Sequence, residues 1–243
     1  AIEDVRDKTQ VIEVGPRSYL IRMPIVNAAF FETDEGIVLV DTGMAPAGPA
    51  ILEAIRSVSD KPIHTIIYTH GHVDHAYGTW AVIEAGETPH IIAHDLLKPR
   101  FERYIRLRGS LARYMSQPED QLPASEADLV WPTRYFSDRL ELEIGGETFV
   151  LQHHKGETDD QLYVWVPGRN ALASADYYQG FLPNAGNGKR VERDVESWAR
   201  GLRDMAALEP ALLLPAHGEA IADPARIRDE LSALATALEA IVE

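Results

Sequence analysis

The sequence contains no cysteine among its 243 residues. This absence excludes disulfide bonds and thiolate ligands, so only nitrogen and oxygen atoms are available as donors to a metal ion. No apolar run approaches the ~20 residues that a helix needs to cross a bilayer, and no N-terminal targeting segment is visible. The chain begins at Ala1 rather than at a methionine, which is consistent with a removed leader or a trimmed longer protein. These features predict a soluble protein without a membrane span and leave its compartment open between the cytoplasm and the periplasm or exterior.

Positive charge is scarce in this chain. It has 23 lysine and arginine residues against 38 aspartate and glutamate residues, a formal net charge of −15. Binding along a nucleic-acid backbone needs a positive surface, so nucleic acid is not the expected partner. The hydrophobic content of 45% and charged content of 25% are ordinary for a soluble globular protein. A small-molecule substrate is therefore the expected partner.

The densest group of metal-ligand side chains follows an apolar, strand-like run at residues 63–68. Three histidines and one aspartate fall within six positions there: His70, His72, Asp74 and His75. Imidazole nitrogens and carboxylate oxygens are good ligands for zinc and related divalent ions. One ion cannot readily use all four, because so short a loop cannot wrap around it. Two adjacent ions can, with the first two histidines facing one ion and the last two residues facing the other.

Three further ligand-type residues each follow a short apolar run of the strand type. Asp41 follows the first of these runs, Asp176 follows one in the second half of the chain, and His217 follows the last. Side chains at the ends of neighbouring strands meet at one edge of a sheet system. We therefore predict Asp176 as a carboxylate shared by two ions and His217 as a metal ligand. Asp41 is expected to support the metal ligands through hydrogen bonds.

Strand-like and helix-like segments alternate along the chain. Strands are predicted at residues 11–14, 19–21, 28–31, 37–40, 63–68, 91–93, 139–144, 147–152, 161–166, 171–174 and 211–214, and helices at 48–58, 78–85, 193–208 and 225–242. Both halves show hairpin, helix and strand in comparable order. The predicted fold is α/β, an αββα sandwich in which two mixed β-sheets are flanked by helices. One domain is expected over residues 1–243, with a helical insertion near 94–130. The C-terminal helix could be the last layer of this fold or the start of a segment that forms a homodimer.

The His-X-His-X-Asp-His pattern at residues 70–75 resembles that of the metallo-β-lactamase superfamily. The resemblance covers approximately residues 10–220 and includes Asp41, Asp176 and His217. It implies the αββα fold and a hydrolytic centre with two metal ions. It says little about the substrate, because the superfamily contains β-lactamases, lactonases, thioesterases, nucleases and sulfatases.

The third ligand of the first metal departs from the usual pattern of this superfamily. A histidine is expected in a Gly-His-Thr turn, and the corresponding turn here reads Gly156-Glu157-Thr158. The resemblance therefore implies Glu157 as the ligand, as in the alkylsulfatase-like branch of the superfamily. The alternative is a reshaped loop in which His154 binds the metal instead. If Glu157 is the ligand, His154 is free to act as a hydrogen-bond donor or proton carrier near the substrate.

Arginines are concentrated in the predicted helical insertion. Six basic residues are interleaved with apolar ones at helical spacing: Lys98, Arg100, Arg103, Arg106, Arg108 and Arg113. In one interpretation they form a solvated helix face whose aliphatic stems cover apolar surface. In the other, one or two of them reach over the metal centre and hold an anionic group of the substrate.

The expected activity is that of a binuclear metal-dependent hydrolase, in which a metal-bound hydroxide attacks an ester-type bond. An alkyl sulfate ester is favoured as the substrate. Lactonase, β-lactamase or thioesterase activity is the alternative, and a di-iron redox enzyme is a further one. Two divalent ions are expected as cofactors, with zinc favoured over iron or manganese. Asp74 and His154 are predicted to take part in proton transfer, with Tyr177 and Tyr178 as other candidates for protonating the leaving group.

Overall fold

The computed structural model describes residues 2–185 and 193–242 of the chain. The first of its two β-sheets has seven strands, which lie side by side in chain order. These strands are β1 (Gln10–Gly15), β2 (Ser18–Arg22), β3 (Asn27–Glu32), β4 (Ile37–Val40), β5 (Ile63–Ile67), β6 (His90–His94) and β7 (Arg134–Phe136). Strands β1 to β4 pair antiparallel, whereas β4 to β7 pair parallel. The first sheet is therefore mixed, as the sequence predicts.

The second sheet has five strands in the spatial order β12-β11-β10-β9-β8. Its strands are β8 (Arg139–Ile144), β9 (Glu147–His153), β10 (Leu162–Val166), β11 (Ala171–Ala175) and β12 (Leu212–Pro215). The pairs from β8 to β11 are antiparallel, and β11 pairs parallel with β12. The Gly145-Gly146 turn of the β8–β9 hairpin has positive φ at both glycines, 54° and 84°, as a tight hairpin turn requires.

Helices cover the outer face of each sheet. They are α1 (Ile2–Asp7), α2 (Gly48–Arg56), α3 (Trp80–Glu84), α4 (Leu97–Arg106), α5 (Arg108–Met115), α6 (Val195–Ala207) and α7 (Pro224–Val242). We call α4 and α5 the cleft helices, since they border the cleft described below. Within the described residues, no helix combines the length and the hydrophobicity of a membrane-spanning segment.

Period-two alternation in the strands separates the buried side chains into layers. In β3, for example, Phe30 joins the core between the first sheet and its helices, whereas Phe31 joins the core between the two sheets. A third core, between the second sheet and α6 and α7, contains Trp198 and Leu231. Burying each large apolar side chain contributes roughly 1.5–3 kcal/mol. The result is the αββα sandwich that the sequence predicts.

Two elements differ from the sequence-based expectation. The N-terminal helix α1 was not predicted, since it spans only six residues. The short strand β7 lies in an aromatic stretch that lacks a long alternating pattern, and it is recruited as a strand by pairing with β6. Both elements depend on contacts with distant parts of the chain, which local sequence patterns do not encode.

Candidate metal centre

The candidate metal centre lies where the parallel strands of both sheets end. Asp41 follows β4, His70 lies shortly after β5, and Asp176 and His217 follow β11 and β12. The backbone turns sharply at two of these strand ends, because Asp41 (φ 64°) and Ala175 (φ 49°) adopt the left-handed region. Such residues cost about 1 kcal/mol or more and are found preferentially at functional sites. The fold therefore delivers residues far apart in sequence to one position.

The first group of ligand-type side chains consists of His70, His72, Glu157 and Asp176. One donor atom from each lies within 4.8 Å of the donor atoms of the others. The ring nitrogens His70 Nε2 and His72 Nδ1 are 3.0 Å apart, and His70 Nε2 is 3.8 Å from Asp176 Oδ2. Four donors thus converge on one point at the bottom of the site.

The second group consists of Asp74, His75 and His217, again with donor atoms within 4.8 Å of one another. Asp74 Oδ2 lies 3.5 Å from His75 Nε2 and 3.7 Å from His217 Nε2. The other oxygen of Asp176, Oδ1, is 3.4 Å from His75 Nε2 and 3.3 Å from His217 Nε2. Asp176 therefore faces both groups, with one carboxylate oxygen directed to each.

Hydrogen bonds to the opposite ring nitrogens orient the histidines of the second group. The buried carboxylate of Asp41 lies 2.9 Å from His75 Nδ1 and also accepts from the Thr69 backbone N–H at 2.8 Å. His217 Nδ1 lies 2.7 Å from the backbone oxygen of Ile25. Because Nδ1 donates in both residues, Nε2 is the ring nitrogen that faces the other donors and that a metal ion would bind in place of a proton.

The Glu157 carboxylate of the first group has two polar neighbours that sequence reasoning missed. Gln179 Nε2 donates to Glu157 Oε2 at 3.0 Å, and the Arg193 guanidinium donates to Glu157 Oε1. Arg193 is itself nearly buried. No local signal in the sequence singles out either neighbour, because they come from separate segments that only the fold brings to this turn.

The charges of the centre fit divalent cations. Two buried atoms that face each other across the site, His75 Nε2 and Asp176 Oδ1, have no hydrogen-bond partner. Burial and the nearby Asp176 raise the pKa of Glu157 to about 8, because negative charge accumulates between these two carboxylates. Burial opposes the protonation of His75, but the carboxylates of Asp176 and Asp74 outweigh it and raise its pKa well above the usual value. The centre thus combines nitrogen and oxygen donors around a point where positive charge is favoured. This is the donor set expected for zinc, iron or manganese.

His154 joins neither group. Its imidazole packs against α6, where Nε2 is 2.9 Å from Asp204 Oδ2 and a Cβ on Gly201 would lie only 3.1 Å from His154 Cβ. Between the two candidates for the first group, the structure thus brings Glu157, not His154, to the other ligands. The Tyr177 hydroxyl is also directed elsewhere, into contact with backbone oxygens that include that of Gln161 at 2.8 Å.

A cleft of about 990 Å³ opens beside the two groups. Its floor includes His72, Asp74 and Glu157, and the cleft helices form one wall. The predicted helical segment thus faces the metal centre. Arg100 reaches the centre, but its guanidinium pairs with Asp159 and Asp160.

Comparison with known proteins links this arrangement to one family. The sequence model of the metallo-beta-lactamase superfamily matches residues 22–217. A linear primary-alkylsulfatase from Pseudomonas sp. is 27% identical over 226 residues, which cover 82% of this chain and 43% of that protein. The alpha subunit of 2,4-dinitroanisole O-demethylase from Nocardioides sp. is 28% identical over 214 residues, or 84% of this chain and 56% of that protein.

Among solved structures, the stereoselective inverting sec-alkylsulfatase from Pseudomonas sp. has the same fold. It matches with a TM-score of 0.75 at 18% identity, over 95% of this chain and 42% of that one. The chain spans about half the length of these relatives.

Proposed function

The chain belongs to the metallo-beta-lactamase superfamily, and we propose that it is a binuclear metal-dependent hydrolase of ester-type bonds. Alkyl sulfate esters are the favoured substrates. The observation that carries the proposal is the pair of ligand groups that share Asp176 and open into one cleft. The alkylsulfatases among its relatives support the substrate class.

Seven side chains would hold the two ions. His70, His72 and Glu157 serve the first ion, Asp74, His75 and His217 serve the second, and Asp176 lies between them. Two bound divalent ions would supply an activated water and a Lewis acid for the oxygen that gains negative charge. The protein fixes the donors through Asp41, Gln179 and Arg193, so that they need little rearrangement on binding.

Cationic side chains near the centre suit an anionic substrate group. Five line the cleft: Arg100, Arg103, Arg106, Lys155 and Arg193. Three of these have carboxylate partners, but Arg103 and Arg106 form no ion pair within residues 2–185 and 193–242. Arg103 is partly buried in the cleft wall, where its guanidinium would pair with an incoming sulfate. A neutral lactone would leave this guanidinium unpaired.

The outer part of the same cleft is apolar. Its wall is formed by Leu107, which lies between the two cleft helices, and by three side chains of α5, namely Leu111, Tyr114 and Met115. Leu107 and Tyr114 are 37% and 41% exposed, so they present apolar surface that an alkyl chain could cover. A cleft of about 990 Å³ is at the upper end of the size range of small-molecule sites. The cleft therefore matches a substrate with an anionic head beside the metals and an alkyl tail along this wall.

Asp74 is the side chain that we assign to proton transfer in addition to metal binding. Its carboxylate is about a quarter exposed and lines the cleft, whereas Asp176 is buried. It can therefore exchange a proton with a leaving group in the cleft. We assign no catalytic role to His154, since its imidazole packs against α6 and does not line this cleft.

The decisive experiment compares substrate classes on the zinc-, manganese- and iron-reconstituted protein. Octyl sulfate, octyl acetate, a lactone, a β-lactam and a thioester are tested in parallel by kcat/KM. We expect octyl sulfate to be the best substrate. Extending the alkyl chain from hexyl to decyl should raise kcat/KM by up to roughly fourfold per methylene, the gain from burying that group.

Each alternative has a distinct signature in this panel. A higher kcat/KM for the lactone, β-lactam or thioester would identify that class, and not the alkyl sulfates, as the substrates of this protein. Activity only with iron, accompanied by oxygen consumption, would indicate a redox enzyme. Hydrolysis of none of the substrates by protein that holds two metal ions would refute the proposed function.

A further inference from the structure

A buried carboxylate connects the loop that carries His70 and His72 to the first cleft helix, α4. Asp160 Oδ2 accepts a hydrogen bond from the Gly71 backbone N–H at 2.7 Å. Asp160 Oδ1 accepts one from Arg100 Nε, on α4, at 2.8 Å. The Asp160 side chain has no exposed surface, and that of Arg100 is only 14% exposed. The two side chains thus form a continuous bridge between α4 and the loop.

The bridge ends at the peptide that separates two ligand histidines. Gly71 lies between His70 and His72, whose ring nitrogens converge on the first group. The aliphatic stem of Arg100 packs directly on Gly71, since a Cβ built there would lie 2.9 Å from Arg100 Cδ. This peptide is therefore held by the Asp160 carboxylate and covered by the Arg100 stem.

The negative charge of Asp160 is compensated only when the Arg100 guanidinium is present. A buried carboxylate without its cation is strongly unfavourable, because it has lost its contact with water and is left with uncompensated charge. Arg100 also pairs with Asp159, the neighbouring residue, which anchors the guanidinium at two points. Its charge is therefore engaged in holding the loop, in contrast to that of Arg103.

We propose that Asp160 and Arg100 are positioning residues for the first metal ion, and that through them metal loading and the docking of helix α4 stabilise each other. This inference rests on the proposed function, in that it requires a metal at the His70 group. By fixing the Gly71 peptide, the bridge sets the separation of the two histidine rings before the ion arrives. Thermodynamic coupling is reciprocal, so a helix that raises metal affinity must itself be stabilised by the metal.

The test measures metal binding and helix protection in the same variants. Asp160→Asn keeps the size of the side chain and an acceptor for the Gly71 N–H but removes the charge that holds Arg100. Arg100→Met keeps an apolar stem but removes the guanidinium. The double variant removes both charges, and Gly71→Ala displaces the Arg100 stem without changing any charge. Arg113→Met is the matched control, because this exposed arginine of α5 carries the same charge and does not line the cleft.

Zinc affinity is measured on chelator-treated protein by competition with a chromophoric chelator. We expect two zinc ions in the wild type. Each single variant of the bridge should bind one of them roughly 10- to 100-fold more weakly, as for other residues that orient metal ligands. The second ion should bind as before, which also verifies that the variants are folded. The double variant should be no worse than either single variant, because the two residues act as one unit.

Hydrogen–deuterium exchange supplies the second measurement. Zinc should slow amide exchange in residues 97–106 of the wild type and of Arg113→Met. This protection should disappear in Arg100→Met and Asp160→Asn. The inference is overturned if both variants keep wild-type zinc affinities, or if they keep the zinc-dependent protection of α4.

The outcomes separate this inference from the proposed function. A wild type that binds two zinc ions but hydrolyses none of the test substrates would overturn the proposed hydrolase and leave the bridge standing. A wild type that binds no zinc would overturn both.

Discussion

Asp176 Oδ1 lies 3.4 Å from His75 Nε2, and neither atom has a hydrogen-bond partner although both are buried. The opposite nitrogen of His75 is already engaged by Asp41. Without a metal ion, burial lowers the pKa of His75, but the carboxylates of Asp176 and Asp74 outweigh it and raise this pKa, so positive charge is favoured at this point. A cation between the two atoms would satisfy both.

Metal binding should stabilise the protein against heat. Free zinc at about 100 times its dissociation constant adds about 2.7 kcal/mol per site. In a domain of this size that corresponds to an increase in Tm of roughly 5–10 °C. Differential scanning calorimetry with chelator and then with excess zinc measures the effect. His75→Ala should lose part of the increase and all hydrolytic activity, and full turnover by this variant would remove the catalytic claim.

Asp41→Asn should weaken metal binding without removing a ligand. The substitution keeps the shape but replaces a carboxylate that lies 2.9 Å from His75 Nδ1 and accepts from Thr69. We expect the affinity of the second ion to fall roughly 10- to 100-fold. Competition with a metal chelator measures the loss. Asp60→Asn serves as the control because Asp60 is exposed and precedes β5, whereas the centre lies beyond the other end of that strand. Equal losses in both variants would contradict the orienting role of Asp41.

Arg103→Met should discriminate between charged and neutral substrates. If Arg103 contacts a sulfate, its loss should raise KM for alkyl sulfates about 10-fold, the ~1.4 kcal/mol of a partly screened charged hydrogen bond. KM for a neutral lactone or acetate should stay unchanged. Steady-state kinetics on both substrates gives the comparison, with Arg113→Met as the matched control. A similar rise for the neutral substrate would show that Arg103 acts by packing and not by charge.

The pair His94 and His153 should make the fold sensitive to acid. Their rings stack at 3.7 Å between centroids. Leu96 N donates to His94 Nδ1, and His94 Nε2 lies 2.7 Å from Ser137 O. Burial, together with His94, lowers the pKa of His153 below its usual value of 6.5. The folded protein therefore binds this proton less readily than the unfolded chain does. The contribution of His153 to stability is complete above pH 6.5 and is lost as the pH falls through the lowered folded-state pKa.

His153→Gln should consequently be less sensitive to acid than the wild type. Urea unfolding at about pH 8 and about pH 5.5, on either side of the ordinary histidine pKa, measures the loss of unfolding free energy for each protein. The wild type should lose more than the variant. An identical loss in both would assign the acid sensitivity to other groups.

Local chemistry accounts for the parts of the site that were predictable. His70, His72, Asp74 and His75 fall in one short loop after an apolar strand, so their donor atoms and their approximate position could be read from the chain alone. Residues at the ends of strands, such as His217, could be placed at the same edge because parallel neighbours end side by side. The αββα fold was predictable for a similar reason, since period-two and helical patterns are local.

Long-range packing decided the rest. Glu157 and not His154 meets the first group, because the His154 ring packs against α6, where Gly201 leaves room for it. The partners of the arginines could not be predicted from the sequence either. Arg100 pairs with Asp160, which is 60 residues away, whereas Arg103 has no ion-pair partner in the described chain. The amino-acid sequence alone specifies the donor atoms and the strand ends at which they lie. Which donors converge, and which charges stay available to a substrate, depends on contacts between segments that are remote along the chain, so both are properties of the folded protein.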